Sequence, residues 1–284
     1  MITLKTPAKV NIGLWIERRR KDGYHDLRSI FFPVSLFDTL VLEKRPDGVE
    51  FSCQAPYVPQ DMNNLVWKSA NLFFTYTGVR SGVKIELCKE IPVGNGLGGG
   101  SSDAAATLKG LNRLFETTLS PEELFSLSLE LGMDCPFFLD PRPALVTGRG
   151  EEMEPLEIPT FDLVIFSPDF NVSTPWAYKH LRRLTKGENP CKLLAKALSE
   201  RNYQEAGRWV YNSFEEVVYK RYPILEELAD WLKVQGAVFS GLSGSGAALF
   251  ALMPSGFITN GVRLPEKAGG RLFEVRTLES WGVV

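Results

Sequence analysis

Between positions 92 and 100 lie Gly94, Gly96, Gly98, Gly99 and Gly100, a composition that lets backbone amides close on an anion. Glycine has no Cβ to hold the anion off and tolerates positive φ. Ala104, Ala105, Leu108, Leu111, Leu114 and Phe115 follow at helical spacing from a start at Ser101, Ser102 and Asp103. A helix opening there points its first amides and its dipole at the same anion, for which phosphate is the natural occupant. The alternative is a tightly packed turn, a costly use of so many glycines.

Several phosphate binders are excluded by what surrounds the loop. Gly94, Gly96 and Gly99 satisfy G-x-G-x-x-G, but a dinucleotide fold wants an acidic residue about 20 positions later on a second strand. Here that stretch, Leu119, Ser120, Pro121, Glu122 and Glu123, opens a helix. No Gly-Lys-Ser/Thr follows the loop, and the H-R-D and D-F-G sets of protein kinases are absent. His25 and His180 are the only histidines, and Ser243-Gly244-Ser245-Gly246 lacks the G-x-S-x-G elbow, which argues against a Ser-His-Asp hydrolase.

Phosphoryl transfer needs an aligned acceptor oxygen, a group to take its proton, and positive charge around the moving group. Asp134 is the candidate base, just past the helix terminator Gly132 and beside Pro136, Phe137 and Phe138. Desolvation there favours the neutral acid, whereas a nearby cation favours the carboxylate. Lys9 is the candidate cation. On local pattern alone, a turn aspartate and a solvent-facing edge-strand lysine remain open readings.

The elements that must position these groups follow from periodicity. Ala8, Val10, Ile12, Leu14 and Ile16 alternate with Lys9, Asn11, Gly13 and Trp15, the pattern of a half-buried strand. Lys9 and Asn11 then share a face about 6.6 Å apart. A charged turn at 18–23 leads to returning strands at 30–34 and 39–42, a helix between 61 and 75, and a strand at 83–87. Ser120, Pro121 and Glu123 form a capping-box helix start that ends at Gly132. The acidic, proline-containing stretch 151–159 predicts a boundary between subdomains 1–155 and 156–284. Beyond it the pattern predicts a strand at 163–166, helices from Thr174-Pro175 and over 193–233, and strands near 237–239 and 247–252. The glycine turn at 243–246 is either a hairpin or a second ligand-facing loop.

Bulk properties narrow the function classes. With 284 residues, 44% of them hydrophobic, the chain can bury a substantial core. Lys plus Arg number 32 against 34 Asp plus Glu, so no bulk positive charge recruits nucleic acid or anionic membrane. Cys53, Cys88, Cys135 and Cys191 contain no C-x-x-C pair, so free thiols are expected rather than zinc or disulfides. The start lacks a signal-peptide pattern and no apolar run approaches roughly 20 residues, which predicts a soluble, cytoplasmic protein.

The string 92–105 resembles the phosphate motif of the GHMP kinases, and four further segments extend the likeness over nearly the full chain. Ala8-Lys9-Val10-Asn11-Ile12 with Arg19-Arg20-Lys21-Asp22-Gly23-Tyr24-His25 resembles the amino-terminal signature of that family's diphosphocytidyl-methylerythritol kinase branch. Gly132-Met133-Asp134-Cys135-Pro136-Phe137-Phe138 matches its central motif, and Gly148-Arg149-Gly150-Glu151 and Ser243-Gly244-Ser245-Gly246 complete the order. The sequence departs at Asn95, where the branch usually has alanine, and at Cys135, where it usually has valine.

The resemblance implies an α+β GHMP kinase fold, with a strand-rich amino-terminal subdomain carrying the loop and a carboxy-terminal subdomain of helices on an antiparallel sheet. It implies transfer of the ATP γ-phosphate to the 2-hydroxyl of 4-diphosphocytidyl-2-C-methyl-D-erythritol, a step of the non-mevalonate isoprenoid route. Lys9 and Asp134 fall on the catalytic positions. Pro92, Gly94, Gly96, Leu97, Gly98, Gly99, Gly100, Ser101 and Ser102 fall on the ATP phosphates, and Asn64, Leu65 and Lys68 where related kinases hold adenine. Mg²⁺ is expected, with Ser102 as its protein contact. Asn11, Ser243, Gly244 and Ser245 fall against the substrate. Tyr24, His25 and Tyr178 fall around cytosine, the tyrosines as opposing walls and His25 at the base edge; from the residues alone they read as turn and core residues. Alternatives are another GHMP kinase, acting on homoserine, mevalonate or a sugar, or a non-catalytic ligand sensor. Lys9 and Asp134 together argue against the sensor, and the segment 22–25 argues against the other kinases. The implied partner is a small molecule, with oligomeric state left open.

Overall fold

The computed structural model describes residues 1–185, 190–254, 256–257, 259, 264–265 and 268–282. Parts of the expected 156–284 subdomain therefore lie outside the described residues. The chain starts with two long antiparallel strands, β1 (Ile2–Arg19) and β2 (His25–Arg45), joined by a turn in which the Arg20 amide donates to the Tyr24 carbonyl. β3 (Val49–Cys53), α1 (Leu65–Thr77), β4 (Gly82–Cys88), α2 (Gly99–Leu114) and α3 (Pro121–Leu131) follow. A 3-10 turn at Pro136–Leu139 leads to β5 (Ala144–Thr147) and β6 (Glu152–Pro155).

These six strands form one sheet in the order β3-β4-β2-β5-β6, with β1 on β2's other side. The two returning strands read from 30–34 and 39–42 are a single strand. On its second edge β2 pairs β5 at Ser29–Phe31 and β4 at Thr39–Arg45. Pro33 falls in the gap between those partners, where its missing N–H breaks no ladder on that side. Leu4, Leu40, Leu42, Val66, Phe73, Leu108 and Leu111 form the core between this sheet and α1 and α2. The capping box is present, with Ser120 Oγ accepting from the Glu123 amide and Glu123 Oε2 from the Ser120 amide.

The half-buried, strictly alternating reading of β1 needs correction. Ala8, Val10, Ile12 and Trp15 lie in one core cluster, whereas Leu14 and Ile16 lie in another. The phase flips because the β1–β2 register shifts between Asn11 and Leu14, with Gly13 at φ +86. A residue with a side chain would be strained in that bulge. Both faces are covered, so residues 6–16 are all buried and the polar face of Lys9 and Asn11 is an interior one.

The second half builds β7 (Asp162–Pro168), α4 (Thr174–His180), α5 (Pro190–Ser199), α6 (Tyr203–Trp209), α7 (Glu215–Arg221) and α8 (Pro223–Val234). It then adds β8 (Phe239–Leu242), β9 (Leu249–Leu252) and β10 (Gly270–Arg276), giving a four-stranded antiparallel sheet ordered β10-β7-β9-β8. The strands read near 237–239 and 247–252 each begin two residues later, and the second ends at Leu252 as read. Ile12, Ile30 and Phe32 of the first sheet pack in one cluster with Leu163, Ile165 and Phe250 of the second. Among the described residues the four cysteines form no disulfide, and no helix is long and apolar enough to cross a membrane.

Candidate active site

The glycine loop runs from the end of β4 into α2, and its conformation uses the glycines directly. Gly94, Gly96 and Gly98 have φ of +74, +78 and +71, so every second residue is left-handed, and Gly98 is the N-cap of α2. The loop is also clamped. A Cβ on Gly96 would lie 2.2 Å from the Ser243 carbonyl oxygen, and one on Gly98 2.8 Å from the Phe138 ring and 3.0 Å from the Lys9 side chain. The Lys9 amide donates to the Leu97 carbonyl at 2.9 Å. Gly100 differs, because a Cβ there meets only Leu65 at an ordinary 3.7 Å.

Beneath the loop lies a charged cluster that the sequence reading missed. Lys89 Nζ bonds Asp38 Oδ2 and, at 2.9 Å, Asp103 Oδ2, while Thr6 Oγ1 donates to Asp103 Oδ1 at 2.7 Å. All are buried, and Asp38 Oδ1 also accepts the amides of Glu90 and Ile91. Burial, then the Asp103 charge, pushes the Asp38 carboxyl up to about 7, with Lys89 opposing. Burial works against the Lys89 cation too, but two carboxylates outweigh it and hold its pKa above the ordinary value. The available signal was Asp38, a lone charge inside the apolar run from Leu36 to Leu42.

The loop lines a cleft of about 330 Å³ that contains Pro92 through Ser101, Lys89, Asn64 and Leu65. Asn64 is first of all the N-cap of α1: its Oδ1 accepts from the Val66 amide and its Nδ2 donates to the Pro59 carbonyl. Lys68 is exposed one turn further along α1 and does not line the cleft. Asn95 is buried, donates to Ser167 Oγ at 2.9 Å, and among the described residues leaves its Oδ1 without a hydrogen-bond partner. Ser102 Oγ is likewise buried in the first turn of α2 and, among the described residues, unpartnered, but Ser102 lines neither this cleft nor the larger cavity beside it. Among the described residues no group of three His, Cys, Asp or Glu side chains could hold a metal ion.

A second cavity, of about 870 Å³, is lined by Asp134, Tyr24, His25, Tyr178, Thr174 and Ser101, so the two spaces share Ser101. Asp134 sits on the turn between α3 and the 3-10 turn, 39% exposed, with Oδ2 3.6 Å from Lys9 Nζ. Lys9 is buried, bonds Asn11 Oδ1, and lies 4.5 Å from the centre of the Phe31 ring. Burial lowers its pKa, and Asp134 resists that shift. Asn11 donates Nδ2 to Ser29 Oγ at 3.1 Å, and its amide donates to Ser243 Oγ at 3.3 Å. Cys135 is fully covered, its thiol pushed up to about 12 by burial despite a hydrogen bond from Ser101, so it behaves as a small apolar filler.

Tyr24, His25 and Tyr178 share the cavity, but it is His25 that stacks on Tyr178, with ring centroids 5.1 Å apart. Tyr24 lies instead under Arg149, 5.3 Å from its ring centre. Burial, then the charge of Arg19, lowers the His25 pKa. Burial, then Asp134, raises that of Tyr178. Ser243, Gly244 and Ser245 line neither cavity. Ser243 Oγ donates to the Gly96 carbonyl, a Cβ on Gly244 would meet Asn11 Oδ1 at 3.2 Å, and Ser245 Oγ bonds Thr174 Oγ1 at 2.7 Å. They back the site rather than face it.

Residues 64–140 match the GHMP kinases N terminal domain and residues 194–256 the GHMP kinases C terminal domain. The 4-diphosphocytidyl-2-C-methyl-D-erythritol kinase of Acetivibrio thermocellus is 37% identical over 255 residues, covering 88% of this chain and 89% of that one. A crystal structure of 4-(cytidine 5'-diphospho)-2C-methyl-D-erythritol kinase superposes with a TM-score of 0.81 at 34% identity, covering 97% of this chain and 99% of that one. A homoserine kinase structure from Cytophaga hutchinsonii shares the fold, with a TM-score of 0.72 at 19% identity, covering 98% of this chain and 95% of that one. The chain belongs to the GHMP kinase family, in its branch of 4-diphosphocytidyl-2-C-methyl-D-erythritol kinases.

Proposed function

We infer that this protein transfers the γ-phosphate of ATP to the 2-hydroxyl of 4-diphosphocytidyl-2-C-methyl-D-erythritol. The observation that carries the reading is the meeting of two cavities at Ser101, with Asp134 on the larger side ion-paired to the buried Lys9. The smaller cleft takes the nucleotide, with phosphates on the glycine-loop amides and the first turn of α2, and adenine towards Asn64 and Leu65. The larger has room for a drug-sized acceptor.

Asp134 receives the proton of the attacking hydroxyl. Lys9, itself buried, pairs with that carboxylate and places a cation beside the developing charge. The acceptor oxygen bonds to the γ-phosphorus as the bond to the β-phosphate oxygen breaks, and charge collects on the departing ADP. Asn11 and Ser29 fix the direction of Lys9 through a chain of hydrogen bonds. Ser102 Oγ, buried and unpartnered, suits one oxygen ligand of Mg²⁺, which when bound neutralises polyphosphate charge. His25, neutral near pH 7, offers one ring nitrogen as donor and the other as acceptor, which suits the edge of cytosine. The divide at 155/156 is supported by Pro155 ending the first sheet and Asp162 opening the second.

The test is an acceptor screen with ATP. The cytidine-bearing acceptor should turn over, and homoserine, mevalonate and galactose should not. Turnover of one of those three alone would keep the superfamily and discard the substrate.

A further inference from the structure

We propose that Arg19, Lys179 and Arg182 form a diphosphate-binding rim on the acceptor cavity and so set its preference for a nucleoside-diphosphate-linked acceptor. The inference rests on the function proposed above, which uses none of the three.

Four Arg or Lys side chains line this cavity, against a single carboxylate, Asp134. The carboxylate is engaged by Lys9, and Arg149 is engaged by Glu151 at 2.7 Å. Arg19, Lys179 and Arg182 are exposed and make no ion pair or side-chain hydrogen bond among the described residues. Their neighbours behave otherwise: Arg18 and Arg20, on either side of Arg19, both pair with Asp26. An exposed lysine or arginine is ordinarily just solvated. Three unpaired like charges around one concavity repel each other, however, and the protein as a whole carries a net charge of -2.

The placement also fits. Arg19 pairs directly with His25 across the β1–β2 hairpin, and Lys179 follows Tyr178 on α4, so the cations flank the His25–Tyr178 stack. Arg19 is near enough to help lower the His25 pKa. A diphosphate attached to a base held there brings two negative charges among them, and guanidinium groups match phosphate oxygens two at a time.

The experiment compares wild type with Arg19→Gln, Lys179→Gln, Arg182→Gln and the triple variant, by steady-state kinetics in both substrates. Each single change should raise the acceptor KM about 2- to 5-fold and the triple at least about 10-fold, with kcat and the ATP KM unchanged. Added salt should raise the wild-type acceptor KM and leave that of the triple variant nearly flat. A triple variant whose acceptor KM stays at the wild-type value overturns the inference alone, as does a parallel rise in the ATP KM. Wild type that fails to use the cytidine-bearing acceptor overturns the proposed function and this inference together.

Discussion

The nucleotide cleft and the acceptor cavity meet at Ser101 but are built in opposite ways. Around the cleft, recognition is made by backbone: alternate left-handed glycines, a helix start, and beneath them a buried Lys89–Asp38–Asp103 cluster whose polar atoms are nearly all engaged. The acceptor cavity presents side chains, several of them exposed and, among the described residues, without polar partners, such as Arg19, Lys179 and Arg182. A triphosphate is the same in every kinase of this fold and can be met by a fixed cradle. An acceptor that differs between relatives must be met by residues that can change without disturbing the fold.

The sharpest way to break this contrast is to remove one charge from each region. Lys89→Met leaves two buried carboxylates without their cation and should destabilise the fold by about 3 to 5 kcal/mol. Adding Asp38→Asn should recover part of that loss, because one unpaired charge goes. Lys179→Met should leave the unfolding midpoint where it was. Urea melts of the three proteins decide the matter, and equal midpoints for Lys89→Met and Lys179→Met would erase the distinction.

At the junction, Asp134→Asn and Lys9→Met should each cut kcat by at least ~100-fold while the protein stays folded and still binds ATP. Wild-type turnover in either purified variant would remove that residue from the mechanism. The same pair predicts a pH profile. Burial lowers the Lys9 pKa and Asp134 opposes that shift, so the cation is lost, as pH rises, at a lower pH than for an ordinary lysine. The alkaline limb of kcat/KM should therefore fall below the ordinary lysine value of 10.5.

Within the loop, two glycines should separate fold from binding. Gly98→Val places a side chain at φ +71 against Phe138 and Lys9 and should cost about 1 to 3 kcal/mol of stability. Gly100→Ala meets no clash inside the protein and should stabilise α2 by about 0.5 to 1 kcal/mol while weakening ATP. Thermal melts paired with ATP calorimetry read both effects. Unchanged ATP affinity in Gly100→Ala would make the loop a structural turn.

The same contrast explains what could be read from sequence. The cleft was legible because backbone recognition leaves glycine, and few other roles call for glycines at 94, 96 and 98 ahead of a helix. Lys9 and Asn11 were correctly placed on one face by strand periodicity, but their burial was not, since groups that pack on them, such as Gly98 and Ser243, lie far away in the chain. Periodicity also missed the phase change at Gly13, where one glycine bulge moves Leu14 and Ile16 into a different core from Ile12. Lys89 was invisible because each carboxylate it joins lies on a different element. The aromatic residues of the acceptor cavity came only through family likeness, and nothing local foretold that His25, rather than Tyr24, would lie on Tyr178.

The most direct test of the account compares the cytidine-bearing acceptor with its uridine counterpart, in wild type, Tyr24→Ala, Tyr178→Ala and His25→Ala at saturating ATP. Cytosine and uracil present similar faces, but exchanging the exocyclic amine for a carbonyl reverses donor and acceptor at the edge. A site that reads that edge should favour cytidine by about 5- to 150-fold, or about 1 to 3 kcal/mol. Loss of either tyrosine should weaken both acceptors alike, because stacking tolerates base identity. His25→Ala should shrink the preference instead. Equal kcat/KM for the two acceptors in wild type, or a cytidine preference untouched by His25→Ala, would contradict the account.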